Sequence, residues 1–249
     1  MTEPQRPATA VDAQRAYYRE TAGVYDAMRE CEAEHEAALA LIVPYLVRLG
    51  SGSVLDTGCG TGRAMRAIAS ALPGVRVHGN DPSPELLRVA TEQHGIPASA
   101  LDCVGSDPLP YAADSFDAVI ATGVMHHLPD PAPVIAEMLR VARQAIFISD
   151  CNMYGCGRFP VRLARMALAR VGLLRPLNRM RRGGYDWFMS EGDGVAWSYS
   201  VFDSRAQIAA ACAETLVIST APRPGAAVPL LQSTHCLMCG FKERLPETE

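Results

Sequence analysis

Val54-Leu55-Asp56-Thr57-Gly58-Cys59-Gly60-Thr61-Gly62 decides the fold of this chain of 249 residues. A short apolar run followed by alternating glycines is typical of a buried strand that enters a tight turn, and a helical pattern follows from Arg63. Glycines in such a turn let a ligand approach the backbone without a Cβ in the way. The spacing excludes two common phosphate-binding loops. A dinucleotide fingerprint needs a third glycine where Arg63 stands, and a P-loop needs a following Gly-Lys-Ser/Thr.

Strands and helices alternate after this turn. The pattern predicts strands over residues 75–79, 102–104, 116–122 and 145–149, and helices over residues 63–72, 84–94 and 131–143. It then predicts a helix over 204–213 and an edge hairpin of strands 215–220 and 234–242. Alternation of this kind builds βαβ units. We therefore expect an α/β fold, with a doubly wound, mostly parallel seven-stranded sheet, an antiparallel C-terminal edge hairpin and a helical insertion.

Composition narrows the class of protein. Hydrophobic residues make up 49% and charged residues 20% of the chain, which excludes wholesale disorder. A net charge of -4 argues against nucleic acid as a partner. No apolar run reaches the roughly 20 residues that span a bilayer, and the polar N-terminus does not resemble a signal peptide. We expect a cytoplasmic protein whose eight cysteines are reduced.

Asp56 stands two positions before the first glycine, so the stretch reads D-x-G-x-G-x-G after an apolar strand. This pattern resembles motif I of the class I S-adenosylmethionine (SAM)-dependent methyltransferases. The stretches 77–83 and 115–130 resemble the family's next strand end and its fourth strand with the following loop. The resemblance covers about residues 51–150. It implies that SAM is the methyl donor and S-adenosylhomocysteine (SAH) the product.

The resemblance also implies which residues bind the cofactor. The backbone expected to lie against the methionine part of SAM belongs to Gly58, Cys59, Gly60 and Gly62. Asp56 would hold the amino group of the cofactor. Asp81, followed by Pro82, would accept both ribose hydroxyls, since one carboxylate can accept several hydrogen bonds; capping of the next helix is the alternative role. Asp107 would contact the adenine, in a stretch one residue shorter than the family's, and Thr122 would lie beside the cofactor.

We divide the chain into four regions. They are an N-terminal helical lid (1–50), a SAM-binding α/β core (51–150), a helical insertion forming an acceptor-binding cap (151–200), and a C-terminal helix and edge hairpin completing the core (201–249). Family members commonly fold an aromatic N-terminal segment over the SAM pocket. Tyr17 and Tyr25 are therefore candidate closing residues, with ordinary helix packing as the alternative.

Candidate groups for the chemistry follow the fourth and fifth strands. Methyl transfer requires the acceptor atom to be held close to the methyl group without water, and a hydroxyl acceptor also needs a base. His126 and Asp150 are candidate bases, and His127 a candidate substrate contact. A capping or packing role for the two histidines, and a satisfied loop carboxylate at Asp150, are the alternatives.

We predict no metal ion. Asp150 and Asn152 faintly resemble the metal-dependent catechol-type methyltransferases, but these need a carboxylate after the fourth strand, where this chain has Thr122. Cys236 and Cys239 lie three apart in a predicted strand, so their thiols point to opposite faces of the sheet and do not converge on one ion.

The insertion is basic and aromatic. Eight arginines and no acidic residue lie between Asp150 and Asp186, and both tryptophans follow. The residues that we expect to line an acceptor pocket are Tyr154, Trp187, Trp197 and Tyr199. The arginines fit an anionic small molecule, an anionic membrane surface contacted peripherally, or an acidic carrier protein; a solvated helix face is the alternative.

These observations predict a SAM-dependent methyltransferase that acts on an oxygen or nitrogen of a small molecule, with a secondary metabolite as the expected acceptor. Two alternatives stay open. One is a lipid- or quinone-like acceptor at a membrane surface, and the other is a SAM-binding protein without turnover. The oligomeric state is not predicted.

Overall fold

A computed structural model describes residues 9–28, 33–190, 192–221 and 228–245. Its helices are α1 (Ala10–Thr21), α2 (Tyr25–Met28), α3 (Ala33–Arg48), α4 (Arg63–Ala71), α5 (Pro84–Glu92), α6 (Ala132–Val141), α7 (Phe159–Arg170), α8 (Leu174–Arg181), α9 (Arg205–Ala211) and α10 (Pro229–Gln232). Its strands are β1 (Ser53–Thr57), β2 (Arg76–Asn80), β3 (Leu101–Asp102), β4 (Phe116–Thr122), β5 (Ala142–Cys151), β6 (Trp187–Ser190), β7 (Gly194–Trp197), β8 (Glu214–Ser219) and β9 (His235–Phe241).

Seven strands form one sheet in the order β3-β2-β1-β4-β5-β9-β8. The first five are parallel to one another, β9 runs antiparallel to β5, and β8 runs antiparallel to β9. The predicted doubly wound sheet with an antiparallel edge hairpin is therefore confirmed. In this order the chain reverses direction of winding at β1 and β4, and ligands of open α/β sheets bind at the carboxyl ends of the strands at that point.

The sheet is buried on both faces, because helices cover each side. Cys236 belongs to the apolar cluster on the α6 and α9 side, and Cys239 to the cluster on the α3 and α4 side. The prediction that these two thiols lie on opposite faces is confirmed. Asp117, a buried charge in β4, accepts hydrogen bonds from the Gly52 and Ser53 amides at 2.8 and 3.0 Å, which explains its tolerance in the core.

The insertion differs from the prediction. Residues 151–200 contain the helices α7 and α8, but also a two-stranded antiparallel hairpin, β6–β7, that pairs Trp187 with Trp197. The turn of this hairpin uses Gly192 at φ +76° and Gly194 at φ +89°. The prediction of a wholly helical insertion is therefore wrong, because aromatic and β-branched residues flanking such a turn favour strands.

Outside the insertion, the predicted helices and strands begin and end close to the expected positions. Most of the segment 222–229, between the two predicted hairpin strands, lies outside the described residues, and Pro229 begins α10. Residues 1–8 and 29–32 of the expected lid also lie outside them. Within the described ranges, every helix falls short of the length and apolarity that crossing a bilayer requires.

Candidate functional site

The glycine loop joins β1 to α4 at the carboxyl end of the sheet. The amides of Gly58 and Cys59 donate to the carbonyl oxygen of Asn80 at 2.8 and 3.0 Å, which ties the loop to the end of β2. Gly62 has φ +81°, and a Cβ there would meet the end of the Ile96 side chain. The backbone conformation therefore favours glycine at this position, and a larger residue would also displace Ile96.

Asp81 lies at the end of β2, facing the loop. Its Oδ2 accepts the Gly60 amide at 2.9 Å and its Oδ1 accepts the Ser83 amide at 2.8 Å. Ser83 itself caps α5, since its hydroxyl accepts the Leu86 amide. Asp81 is thus left free of the capping role. Burial raises the pKa of Asp81 to about 6, against the opposing effect of the Ser83 and Gly60 amides.

Asp56 lies in β1 and is buried in the sheet. Neither of its carboxylate oxygens has a hydrogen-bond partner among the described residues. Burial raises its pKa to about 8, with Arg63 opposing and Asp81 adding to the rise. A buried carboxylate without a donor is rare in folded proteins, so this site fits a donor or cation that comes from a ligand.

A cavity opens over the glycine loop and Asp81. Its volume, about 590 Å³, is within the range typical of small-molecule sites. Of the predicted cofactor residues, those that line it are Gly58, Cys59, Gly60, Asp81, Pro82, Asp107, Thr122 and Tyr25. Asp56, Gly62 and Tyr17 do not reach its wall in the described structure. We call this cavity the glycine-loop pocket.

The N-terminal helices cover one side of the glycine-loop pocket. Tyr18, rather than Tyr17, lines it together with Tyr25 and Gln14. Tyr17 lies instead against the hairpin, since a Cβ on Gly194 would stand 2.9 Å from its ring. The resemblance predicts that the aromatic segment lies over the pocket, but the rotation of α1 about its axis decides which of the two adjacent tyrosines faces it. Nothing in the sequence marks Gln14 as a pocket residue.

The segment around Asp26 ties this cover to the loop. The Thr61 hydroxyl donates to Asp26 Oδ1 at 2.6 Å, and His94 forms a short contact with the other carboxylate oxygen. Asp26 therefore links the cover to both the glycine loop and the end of α5. Its role could not be read from the sequence, because its partners lie 35 and 68 residues away.

Two histidines after β4 meet a carboxylate from the hairpin. His126 Nδ1 lies 2.8 Å from Asp150 Oδ1, and His126 Nε2 lies 2.8 Å from Asp193 Oδ2. His127 Nε2 lies 3.1 Å from Asp193 Oδ1, and its Nδ1 lies 2.5 Å from the carbonyl oxygen of Val195. A carbonyl only accepts, so His127 Nδ1 carries a proton. We call His126, His127, Asp150 and Asp193 the histidine clamp.

The contacts within the histidine clamp shift the pKa values of the two predicted bases, His126 and Asp150. Burial would lower the pKa of His126, but the charges and hydrogen bonds of Asp150 and Asp193 outweigh it and raise the pKa to about 10. Burial would raise the pKa of Asp150, but His126 and the Cys151 amide lower it to about 2. His126 is then a cation held on both sides and Asp150 a fully buried anion. The geometry favours a positioning role for both residues rather than proton transfer.

Asp150 and Asn152 also hold the end of β5. Asp150 Oδ2 accepts the Met125 amide at 2.8 Å. Asn152 Nδ2 donates to the carbonyl oxygens of Leu230 and Ser233 at 2.9 and 2.8 Å, and its Oδ1 accepts the Ser200 hydroxyl at 2.8 Å. All side-chain groups of Asn152 are therefore used in holding the insertion and α10 against the sheet.

Two sets of side chains could supply ligands to a metal ion. Among the described residues, ligand atoms within 4.8 Å of one another belong to His126, Asp150 and Cys151, and to His126, His127 and Asp193. Both sets share His126, whose two nitrogens already face carboxylates. A cation could enter only by replacing the proton on that ring. The absence of a metal stays a prediction.

A second cavity, of about 730 Å³, lies under the insertion. Of the predicted acceptor residues, Tyr154, Trp197 and Tyr199 line it, and three arginines of the α8 region, Arg175, Arg179 and Arg182, stand in its wall. Leu128 borders both this insertion cavity and the glycine-loop pocket.

The other two predicted acceptor residues lie elsewhere. His127 lines the glycine-loop pocket. Trp187 is not part of either lining; its ring packs on Tyr185, with the centroids 5.2 Å apart. Trp187 and Trp197 are cross-strand neighbours in the hairpin, but only Trp197 lines the insertion cavity.

The sheet order and the glycine-loop pocket define the class I SAM-dependent methyltransferase fold. Residues 55–147 match the family described as methyltransferase domain, so the predicted resemblance is confirmed. Among solved structures, the magnesium protoporphyrin IX methyltransferase of Synechocystis, with bound SAM, superposes with a TM-score of 0.61 at 15% identity, over 96% of this chain and 100% of that one. The Burkholderia thailandensis 1,6-didemethyltoxoflavin-N1-methyltransferase, with bound SAH, does so with a TM-score of 0.59 at 16% identity, over 98% and 93%.

The curated relatives are closer in sequence. The ubiquinone biosynthesis O-methyltransferase of Xanthomonas oryzae pv. oryzae is 32% identical over 157 residues, 60% of this chain and 61% of the relative. The phosphatidylethanolamine N-methyltransferase of Cereibacter sphaeroides is 30% identical over 128 residues, 50% of this chain and 62% of the relative. The match thus spans less than two thirds of these relatives' length.

Proposed function

We propose that this protein transfers a methyl group from SAM to an oxygen or nitrogen of a small molecule and releases SAH. The observation that carries the proposal is the pair of strand-end carboxylates around the glycine loop. Asp81 faces the glycine-loop pocket with both oxygens fixed by backbone amides, and Asp56 is buried without a donor. SAM offers hydroxyls for the first carboxylate. Its ammonium group would reach the second, which lies behind the pocket wall, through a bridging water.

The residues of this chain would act mainly by binding and orientation. SAM supplies an activated methyl group on its sulfonium. The glycine loop and Asp81 would hold the donor, while Tyr18 and Tyr25 would exclude water from above. His127 is the clamp residue that reaches the glycine-loop pocket, so we assign it to the acceptor. Val195 and Asp193 engage both ring nitrogens of His127, so His127 would position the acceptor and not take its proton. An amine acceptor would need positioning alone, whereas a hydroxyl acceptor would also need a base.

The insertion cavity supports an anionic acceptor. Three arginines stand in its wall beside the aromatic rings of Trp197 and Tyr154. Guanidinium groups pair with carboxylates and phosphates in a bidentate manner. A secondary metabolite that carries such a group is our first candidate. A lipid- or quinone-like acceptor is the second, and the names of the curated relatives support it. Cytoplasmic location remains a prediction.

Calorimetric titration of SAM and SAH into the full chain tests the cofactor site. We expect both to bind, and Asp81→Asn to weaken binding by roughly 10- to 100-fold, because charge-assisted hydrogen bonds contribute about 1.5–3 kcal/mol each. Asp102→Asn is the matched control. It makes the same change at the end of the neighbouring strand, where the carboxylate binds His78 and Tyr111 outside the pocket. Equal affinities of wild type and Asp81→Asn would refute the assignment.

Turnover needs a separate measurement. We expect mass spectrometry to detect SAH when the protein is incubated with SAM and phenolic or amine acceptors that carry a carboxylate. The same acceptors without the carboxylate should react more slowly. SAM binding without SAH formation across such a panel would favour a SAM-binding protein without turnover.

A further inference from the structure

The insertion carries most of the exposed apolar surface of the molecule. Nine of the fourteen large apolar side chains that are exposed among the described residues lie between positions 159 and 189. They are Phe159, Val161, Leu163, Val171, Leu173, Leu177, Met180, Phe188 and Met189. We call this set the insertion face. Apolar patches of this kind on a folded chain mark interaction sites.

Helix α7 has the reverse of the usual polarity of a surface helix. Arg162 is buried and donates to the carbonyl oxygens of Gly157 and Leu231 at 2.8 and 2.6 Å. Arg165 likewise donates to the Cys156 carbonyl oxygen at 3.2 Å. Phe159, by contrast, is 55% exposed. Surface helices normally turn apolar residues inward and charges outward. The hydrogen bonds of Arg162 and Arg165 to backbone carbonyl oxygens fix the rotation of α7 about its axis. The folded chain therefore keeps the apolar side chains on the opposite side of α7 in solvent.

Helix α8 also exposes apolar side chains. Leu173, Leu177 and Met180 follow one another at intervals of four and three residues, which places them on one side of the helix. Met180 is 79% exposed, the highest value among the apolar residues of the insertion. α7, α8 and β6 thus each present apolar side chains that nothing in the described part of the chain covers.

Positive charge predominates around α7 and α8, whereas Asp186 beside β6 lies 3.9 Å from Arg179. Residues 151–185 contain eight arginines and no acidic residue. Since the whole chain carries -4, removing these eight charges leaves -12 on the rest. Four of the arginines are exposed and have no hydrogen-bond or ion-pair partner among the described residues. They are Arg158, Arg170, Arg175 and Arg181.

We propose that the insertion face docks on the surface of an anionic lipid bilayer. A bilayer offers negative headgroups for Arg158, Arg170 and Arg181 and an apolar layer for the exposed apolar side chains. Arg175 stands in the wall of the insertion cavity and is not counted among these groups. A second copy of this chain fits less well. A two-fold interface brings the same patch of both copies together, so arginines would face arginines without acidic residues from 151–185 to neutralise them. The proposal is independent of the methyl acceptor.

Sedimentation of the full chain with lipid vesicles tests the proposal. We expect the protein to pellet with vesicles that contain phosphatidylglycerol and to stay in solution with pure phosphatidylcholine vesicles. Binding should fall as salt is raised, because ions screen the attraction between arginines and headgroups. Absence of binding to the anionic vesicles, or equal binding to both kinds, would overturn the proposal.

The double variant Met180→Ser/Arg181→Gln removes one apolar and one cationic group from the face. An arginine near an anionic surface contributes about fivefold to binding, so the variant should bind the anionic vesicles at least fivefold more weakly. Val47→Ser/Arg48→Gln is the matched control, because it makes a similar change at two exposed residues of α3. The control should bind like the wild type. All four positions are exposed, and thermal melting would verify that both variants are folded.

Two results would assign the face differently. If Met180→Ser/Arg181→Gln binds vesicles as well as the wild type does, the insertion face is not the docking surface. If sedimentation velocity shows a dimer that this variant abolishes, while vesicle binding is absent, the face belongs to a second copy. Either result overturns the proposal.

Discussion

Replacement of Asp193 by Asn changes the side chain that the hairpin contributes to the histidine clamp. Asp193 accepts from His126 at 2.8 Å and from His127 at 3.1 Å, and its side chain is 16% exposed. Hydrogen bonds to charged groups contribute about 1.5–3 kcal/mol each, and removing one partner of a buried ion pair costs about 3–5 kcal/mol. Asn keeps one oxygen, and the site is partly exposed. We therefore expect Asp193→Asn to destabilise the fold by about 2–4 kcal/mol.

The assay combines thermal melting with hydrogen exchange. In a chain of this length each kcal/mol lowers Tm by about 2–4 °C, so the expected fall is roughly 5–15 °C. Amides of β6 and β7 should exchange faster if the hairpin detaches before the sheet unfolds. Asp186→Asn is the matched control, since Asp186 is 59% exposed and lies 3.9 Å from Arg179. It should change stability by less than about 0.5 kcal/mol. Equal effects of the two variants would refute the clamp.

The difference in stability between the wild type and Asp193→Asn should depend on pH. The pKa of Asp193 is held well below its usual range by His126 and His127 despite burial, so its contribution is present above about pH 4 and is lost in acid. The pKa of His126 is raised to about 10, so its contribution is complete below about pH 6.5 and is lost as the pH rises through 10. The stability difference between wild type and Asp193→Asn should be largest between about pH 4 and 6.5 and should shrink towards pH 10. A difference that does not vary with pH would exclude the ion pair as its cause.

Three further substitutions have defined outcomes. Gly62→Ala should destabilise the fold by about 1–3 kcal/mol in urea unfolding, because φ is +81° and the new Cβ would meet Ile96. Asp56→Asn should stabilise the ligand-free protein and weaken SAM binding; since the folded pKa of Asp56 is raised to about 8, the gain in stability should grow between pH 4 and pH 8. Arg162→Met should leave the carbonyl oxygens of Gly157 and Leu231 without their donor, and limited proteolysis should then cut the α7 region faster than in the wild type.

The sheet could be predicted because its signals are local. β4 was predicted over 116–122 and occupies Phe116–Thr122. Glycines and prolines mark several of the element ends, as at Pro73-Gly74, and the apolar runs indicate strands buried on both faces. Asp117 is a charge inside such a strand, and the amides of Gly52 and Ser53 account for it. Patterns within a dozen residues carry this information.

The histidine clamp could not be predicted, because its members are distant in sequence. Asp193 lies 67 residues from His126 and 66 from His127. The pair of histidines was recognised, but a base and a clamp residue look alike until the partner of each ring nitrogen is known. The same holds for α7, where arginines and apolar residues alternate at helical spacing. Their periodicity gives the two faces but not which face is inward. Backbone carbonyls from residues 157 and 231 decide that, and such acceptors leave no mark in the sequence.

Val195 joins the hairpin to α1 and to the histidine clamp. Its amide donates to Gln14 Oε1 of α1 at 2.5 Å, and its carbonyl oxygen accepts a hydrogen bond from His127 Nδ1. The hairpin therefore cannot move without breaking a bond to α1 and a bond to the clamp. Gln14 and His127 both line the glycine-loop pocket, whereas Val195 does not. The backbone of one hairpin residue thus holds two groups of the pocket wall in place from outside the pocket.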